Sequence, residues 1–447
     1  MEAVLFILQL LVVLGCIIMG TRSSGVGLGL WGGAGVAILV FVFQLSPGSP
    51  PVDALLIVLS VVLAASMMQV AGGIDWMVSV AAKLIARNPK QITLVAPLVS
   101  FLFAAGAGTS NILYPLLPVI QDLSYRNGIR PSRPLSLSVV ATGVALACSP
   151  VSAAMAAMVT LTDVPPYDFE LIDILKVTIP AAIVGIVLSS LVVNRLGKDL
   201  ADDPEVQAKI ADGTLAPPRS DAAEVKADVT VTTAGRNAAI IFLLGVLTIV
   251  VFGLFKGIRP LDADGAPVGM TPIIEIIMFL VGTLILIVSR PKVGDVPTAT
   301  VFKAGMVSAI ALFGLAWLTD TFLSAHVEFI SESIGALVGA APWIFALGVF
   351  LVCVLTTSQS TATRTIVPIG LAAGIPLGVL SGMWAGAFAG IYLLPTNGSQ
   401  IAAANFDVSG TTKLGTKLVD HSFFLPTLVL AVTTIGAGAA FGALWGG

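Results

Sequence analysis

The chain has 447 residues, 57% hydrophobic and only 11% charged, with a mean hydropathy of +1.01. That balance excludes a soluble globular protein, and because the apolar residues run the whole length it also excludes a soluble domain on one anchor. The net charge of -3 is uninformative, since where the charges lie matters more than their sum, and no nucleic acid is expected as a partner.

A spanning helix needs about 20 apolar residues. Segments of that kind lie at 3–20, 27–46, 53–72, 135–160 and 172–194, then at 236–255, 271–289, 302–319, 376–403 and 421–445. The first has no basic flank, because Glu2 is its only early charge, so it reads as a transmembrane helix and not a signal peptide. The stretches 93–121 and 342–370 are apolar but interrupted by polar residues, and read as re-entrant hairpins of two half-helices. An amphipathic arm precedes each hairpin, at 74–86 and 321–338. The expected fold is therefore an all-α polytopic membrane protein with about ten transmembrane helices, two re-entrant hairpins and two broken helices.

Each half follows one order: three helices, an arm, a hairpin, a broken helix and a last helix. Residues 1–196 form the first repeat (hairpin 93–121, broken helix 135–160) and residues 236–447 the second (hairpin 342–370, broken helix 376–403). Five crossings per repeat is odd, so the second repeat is inverted. Residues 197–235 are a cytoplasmic linker, partly disordered or short-helical, whose charges read as solvated. Lys and Arg collect on the inner side if the N-terminus is outside, with Lys176, Lys256 and Arg259 as the outer exceptions. Both termini are then periplasmic.

The chemistry sits at the interruptions. Gly106-Ala107-Gly108-Thr109-Ser110-Asn111 ends before Pro118, and Thr356 to Arg364 ends before Pro368; aligning the prolines sets Ser110 on Ser360 and Asn111 on Thr361. Gly106 and Gly108 allow a tight turn. Thr109, Ser110 and Asn111, with Ser358, Gln359, Ser360, Thr361 and Thr363, present hydroxyls and amides at the start of a returning half-helix, where free N–H groups favour an anion. One such cluster is ordinarily helix glue; two in inverted repeats point to binding. Arg364 is the one cation deep in an apolar segment, and a guanidinium holds a carboxylate through two parallel hydrogen bonds.

The broken helices carry Ser149-Pro150-Val151-Ser152 and Pro395-Thr396-Asn397-Gly398-Ser399. Proline removes helix hydrogen bonds and frees carbonyls. Ser149, Thr396 and Asn397 are candidate substrate contacts, and Gly108, Ser110, Ser152, Ser360, Asn397 and Ser399 a candidate sodium environment, because hard cations prefer oxygen. No other cofactor is expected. Buried carboxylates are nearly missing, which weakens a proton relay, although a proton could travel on the substrate. Cys16, Cys148 and Cys353 show no metal spacing, and no catalytic motif stands out, so an enzyme is not expected.

The runs MQVAGGIDWMV (68–78), RNPKQITLVAPLVSFLFAAGAGTSNILYPLLPVI (87–120), SRPLSLSVVATGVALACSPVSAA (132–154), FKAGMVSAIALFGLAWLTDTF (302–322) and SGTTKLG (409–415) resemble the anaerobic C4-dicarboxylate transporter family, Dcu. More distantly the chain resembles the ion-transporter superfamily, whose members carry Ser-Asn-Thr motifs at two hairpin tips and work as dimers by an elevator movement. The resemblance implies bacterial inner-membrane transport of fumarate, succinate, malate or aspartate, by exchange or by sodium- or proton-coupled symport. It also implies a homodimer. The second tip departs from the family's glutamine- and alanine-rich run, which carries lysine where Arg364 stands. A carrier of another small anion and an anion channel are the rival readings.

Overall fold

The structure, a computed structural model, describes residues 2–23, 26–50, 52–218, 231–263, 265–395, 397–415 and 419–445. Among them the regular elements are helical, apart from one isolated bridge between Leu261 and Pro267. In chain order the first half runs α1 (Glu2–Ser23), α2 (Gly27–Ala37), α3 (Val52–Val70), α4 (Gly73–Ala86), α5 (Ile92–Ala107), α6 (Leu117–Arg126), α7 (Ser132–Ala145), α8 (Ala153–Thr162) and α9 (Leu171–Val193). A short α10 (Pro204–Ala211) lies in the linker. The second half runs α11 (Thr233–Leu254), α12 (Met270–Ser289), α13 (Thr300–Ala340), α14 (Trp343–Thr356), α15 (Gln359–Ala372), α16 (Leu377–Ala387), α17 (Gly398–Phe406) and α18 (Phe424–Trp445).

Seven helices among the described residues are long and apolar enough to cross a membrane, or eight if the bent pair α3–α4 is one span. This is fewer than the expected ten. The shortfall lies in the apolar helices Val4–Ile17, Gly29–Val42 and Leu377–Tyr392, which are too short by this measure. Conversely Pro89–Ala107, which runs into the interrupted stretch 93–121, passes on both length and hydropathy.

The helices form two groups. In the first, a frame, α13 packs along α2 and α3, α3 on α12, α12 on α11 and α1 on α2. In the second, a core, α5 packs on α7, α14 on α15, and both α9 and α16 on α18. The α16–α18 crossing brings backbones together: a Cβ on Gly382 would fall 2.1 Å from the Gly438 carbonyl oxygen. Close approach of this kind is how helices pack without a solvent-driven hydrophobic force.

The two arms differ. Gly72 sits at φ +84, and there α4 departs from α3 by 75°, so the first arm lies across the direction of α3. The second is no separate arm: 321–338 continues α13, a single helix of 41 residues and about 60 Å. The physical reason is local. The Gly-Gly pair at 72–73 supplies a left-handed residue, whereas 321–338 has no such pair at its start.

The linker is not simply solvated. Arg133 donates to the Leu196 and Gly197 carbonyls and pairs with Asp199 at 2.7 Å; Arg130 donates to the Lys198 carbonyl and pairs with Asp203; Lys413 pairs with Glu205 at 2.8 Å. Leu200, Val206 and Leu215 close an apolar cluster with Tyr125 of α6. Residues 219–230 lie outside the described residues. Asp407 is buried and accepts from the Ser409, Thr411 and Thr412 hydroxyls, folding the 407–412 loop against the start of α7 through Ser132.

At the opposite end, the exceptional cations have a partner. Arg259 grips Glu170 through two bonds of 2.6 and 3.2 Å, and Lys256 adds a third at 3.0 Å. Burial pushes the Glu170 carboxyl up, but these bonds outweigh it and hold it below the usual range. Asp163 beside them is pushed up to about 6, by burial first and then by Glu170. A raised folded-state value means that ionisation opposes folding. The cost is absent below about pH 4, grows between 4 and 6, and is complete above. Asp163→Asn should therefore stabilise the protein at pH 7.5, by at most about 2 kcal/mol after allowing for solvent screening, and raise its melting temperature, with the gain gone by pH 4. Thermal unfolding in detergent across pH 4–8 checks this, and a pH-independent gain would refute it.

Candidate functional site

Both interrupted segments break at a two-residue turn. α5 ends at Ala107, and Gly108 takes φ +68; extended Thr109 then caps the next turn, its hydroxyl accepting from Asn111 N at 3.2 Å. α14 ends at Thr356, and Thr357 takes φ +50; extended Ser358 then caps α15, its hydroxyl accepting from Thr361 N at 3.2 Å. One left-handed residue and one extended capping residue break the helix in each case, and the capping oxygen satisfies a free N–H of the helix that follows. Gly106 is not part of the turn; it lies inside α5.

This conformational match sets the register. Gly108, Thr109, Ser110 and Asn111 correspond to Thr357, Ser358, Gln359 and Ser360. Aligning Pro118 with Pro368 is therefore off by one residue. The slip arises in the returning limbs: the first begins as a 3-10 helix, Ser110–Leu116, and the second is α-helical from Gln359. The two geometries advance differently per residue, so the prolines do not mark equivalent positions.

These two sets of four residues line one cavity of about 340 Å³. Its remaining wall comes from Leu146, Val151 and Ser152 at the break between α7 and α8, from Ala153, Ala154 and Ala156 of α8, from α3 (Ile57, Val58, Val61, Val62, Ala65), and from Val301 and Gly305 of α13. The cavity thus lies between core and frame. The tips are tied to the core: a Cβ on Gly108 would fall 2.8 Å from the Val151 carbonyl oxygen, and Gln359 Nε2 donates to the Gly143 carbonyl at 2.7 Å. That second bond fixes which way the Gln359 amide faces, because the reverse would set oxygen against oxygen. Among the described residues the side chains of Ser110, Asn111 and Ser360 have no hydrogen-bond partner in the protein, although all three line the cavity. The N-terminus of α15 opens here, so its free N–H groups add a positive partial charge.

The other expected contacts lie elsewhere. Ser149 is fully buried and accepts from Val151 N. Thr361 is fully buried and donates to the Ser358 hydroxyl at 2.9 Å. Thr363 accepts from Trp384 Nε1 at 2.8 Å. Arg364 does not reach the cavity wall. It is 3% exposed, and its Nε and both terminal nitrogens are buried with no hydrogen-bond partner. It follows Ser360 by one helical turn on the same face of α15. Asn397 and Ser399 are outside the cavity, bonded to each other at 2.9 Å as the start of α17, while Thr396 lies outside the described residues.

The candidate sodium environment is likewise divided. Gly108, Ser110, Ser152 and Ser360 share the cavity; Asn397 and Ser399 do not. The Ser152 hydroxyl is already engaged, donating to Leu146 O at 2.6 Å and accepting from Met155 N at 3.0 Å. Among the described residues no group of three His, Cys, Asp or Glu side chains could hold a metal. Any ion in the cavity would be held by neutral oxygens. The wall from α3 and α13 escaped the sequence reading, since an apolar residue facing a cavity has the same sequence signature as one facing a neighbour.

The family model for the anaerobic C4-dicarboxylate membrane transporter matches residues 5–446. The chain is 36% identical over 445 residues to the anaerobic C4-dicarboxylate transporter DcuB of Escherichia coli, covering 99% of both chains. It is 32% identical over 438 residues to the C4-dicarboxylate transporter DcuA of Wolinella succinogenes, covering 98% of both. Among solved structures, the Alcanivorax borkumensis YdaH transporter shares the fold with a TM-score of 0.60 at 15% identity, over 99% of this chain and 97% of that one. The Neisseria gonorrhoeae efflux pump MtrF shares it with a TM-score of 0.53 at 14% identity, over 86% and 80%. The relatives named here are transporters and not enzymes, and this multi-pass chain belongs to the anaerobic C4-dicarboxylate membrane transporter family.

Proposed function

We propose that the chain carries fumarate, succinate, malate or aspartate across the bacterial inner membrane by alternating access. One observation carries the reading: two tips, from the two halves of the chain, bring unspent hydroxyl and amide groups into one cavity between core and frame. Its volume suits a four-carbon acid with some water. Ser110, Asn111 and Ser360 bind carboxylate oxygens directly, the start of α15 adds its N–H groups, and Arg364 supplies the positive charge from one turn below.

Around that site we propose the following arrangement. α5–α6 and α14–α15 are re-entrant hairpins of inverted repeats, and the core slides against the frame as an elevator. Both termini are periplasmic, and the protein works as a homodimer. The acid either exchanges for another or moves with sodium or a proton. Among the described residues no carboxylate lines the cavity, so a coupled proton would travel on the substrate.

Counterflow of labelled succinate in proteoliposomes, with and without sodium over a pH series, tests this. Saturable counterflow with four-carbon dicarboxylates, and thermal stabilisation by them over mono- and tricarboxylates, is the expected result. Stabilisation by tricarboxylates alone would assign another anion, and large single-channel currents would assign a channel; either overturns the proposal.

A further inference from the structure

The cations at the end of the bundle where α3 finishes and α11 begins fall into two populations. Arg195 and Lys198, after α9, are exposed without an ion pair among the described residues, but four others on the core have acidic partners: Arg126 with Asp122, Arg130 with Asp203, Arg133 with Asp199 and Lys413 with Glu205. Those on the first arm do not. Lys83, Arg87 and Lys90 are all exposed, and none has an ion pair among the described residues. The chain supplies acids to four core cations and leaves all three on the arm bare.

The geometry of the arm makes that difference informative. α4 buries Met77, Val78, Ala81, Ala82 and Ile85 against the protein and turns its other side outward. Lys83 and Arg87, four residues apart, share a helical face, and Lys90 lies just beyond α4 in the short 3-10 turn Pro89–Gln91. The 75° bend at Gly72 lays this face across the direction of α3, a helix that would run along the bilayer normal. Asp75, the acid in the first turn of α4, is about 12 Å from Lys83 along the helix axis, too far to neutralise it. Arg236 and Lys303, at the adjoining starts of α11 and α13, are exposed and also lack ion pairs among the described residues.

We infer that the outward face of α4 binds the headgroups of anionic phospholipids. A flat, amphipathic element with uncompensated cations at the membrane surface is attracted to the negative headgroup plane, and buried apolar contacts on its other side hold it there. Binding keeps the arm at a fixed depth, whatever substrate the core carries.

The full-length protein in zwitterionic micelles is titrated with phosphatidylglycerol, following the melting temperature. Wild type is expected to be stabilised, and the Lys83→Gln, Arg87→Gln, Lys90→Gln triple variant should need about 10²-fold more lipid for the same shift. Its melting temperature without anionic lipid should equal that of wild type. Lys83→Arg with Lys90→Arg should titrate like wild type, and so should Arg126→Gln on the neutralised core. Equal midpoints for the triple variant and wild type overturn the inference. So does equal stabilisation by inorganic phosphate, or a triple variant already destabilised in zwitterionic micelles. None of these readouts depends on transport, so failure here is distinct from failure of the dicarboxylate reading.

Discussion

Replacing Arg364 by methionine should raise the melting temperature of the ligand-free protein while weakening succinate binding by about 10²-fold or more. The two halves of this expectation have one cause. The Arg364 guanidinium is buried, and its three nitrogens have no hydrogen-bond partner in the protein. An unpaired buried charge costs several kcal/mol, and an apolar side chain of similar volume removes that cost. A ligand carboxylate in the cavity, about one helical turn or roughly 5.4 Å away, would offset the charge without touching it, and that attraction is about 3 kcal/mol at an effective dielectric of about 20, or some two decades in affinity. A purely structural arginine behaves in the opposite way: its removal lowers stability and leaves affinity alone. Calorimetry and thermal unfolding on the same purified variant separate the cases, and a lower melting temperature with unchanged succinate affinity would falsify the role given to Arg364. Arg364→Lys keeps the charge but loses the planar fork, so it should fall between the two.

The interruptions at Gly108 and Ser358 were legible because glycines and hydroxyls inside apolar runs are conspicuous against a background that otherwise tolerates few of them. What they do was less legible. The proline alignment paired Asn111 with Thr361, but backbone conformation pairs it with Ser360, and that single step decides which residue lines the cavity and which caps the helix. Gly106 and Gly108 look alike in sequence, yet only one has a positive φ. Lys256 and Arg259 counted as exceptions to the charge bias because Glu170, which engages both, lies about 90 residues earlier in the chain. The linker hid its role for a similar reason: Asp199, Asp203 and Glu205 are unremarkable until Arg130, Arg133 and Lys413 are brought beside them. Periodicity reports which face of a helix is apolar. It does not report what that face meets, and the α3 and α13 wall of the cavity was therefore beyond reach.

Gly108→Ala should reduce transport by about two orders of magnitude with only a modest loss of stability. At φ +68 a Cβ costs about 1–2 kcal/mol for any L residue. Here the added atom would also fall 2.8 Å from the Val151 carbonyl oxygen and 2.9 Å from its Cγ2, so the tip must move away from the break in the broken helix. The side chain of Val151 could yield, but its carbonyl is backbone and cannot turn aside cheaply. Thr109, Ser110 and Asn111 hang directly from this turn, and a displacement approaching 1 Å is enough to cost about 10²-fold where positioned groups must meet a ligand. Gly106→Ala is the control. It lies within α5, its Cβ would meet nothing closer than Leu243 Cδ2 at 3.4 Å, and alanine is the better helix former, so transport should persist and stability should rise by about 0.5–1 kcal/mol. Initial rates of counterflow, normalised to folded protein by gel filtration, give the comparison. If the two alanine variants transport equally well, the first tip is not held against Val151 for function, and the shared cavity loses half of its binding groups.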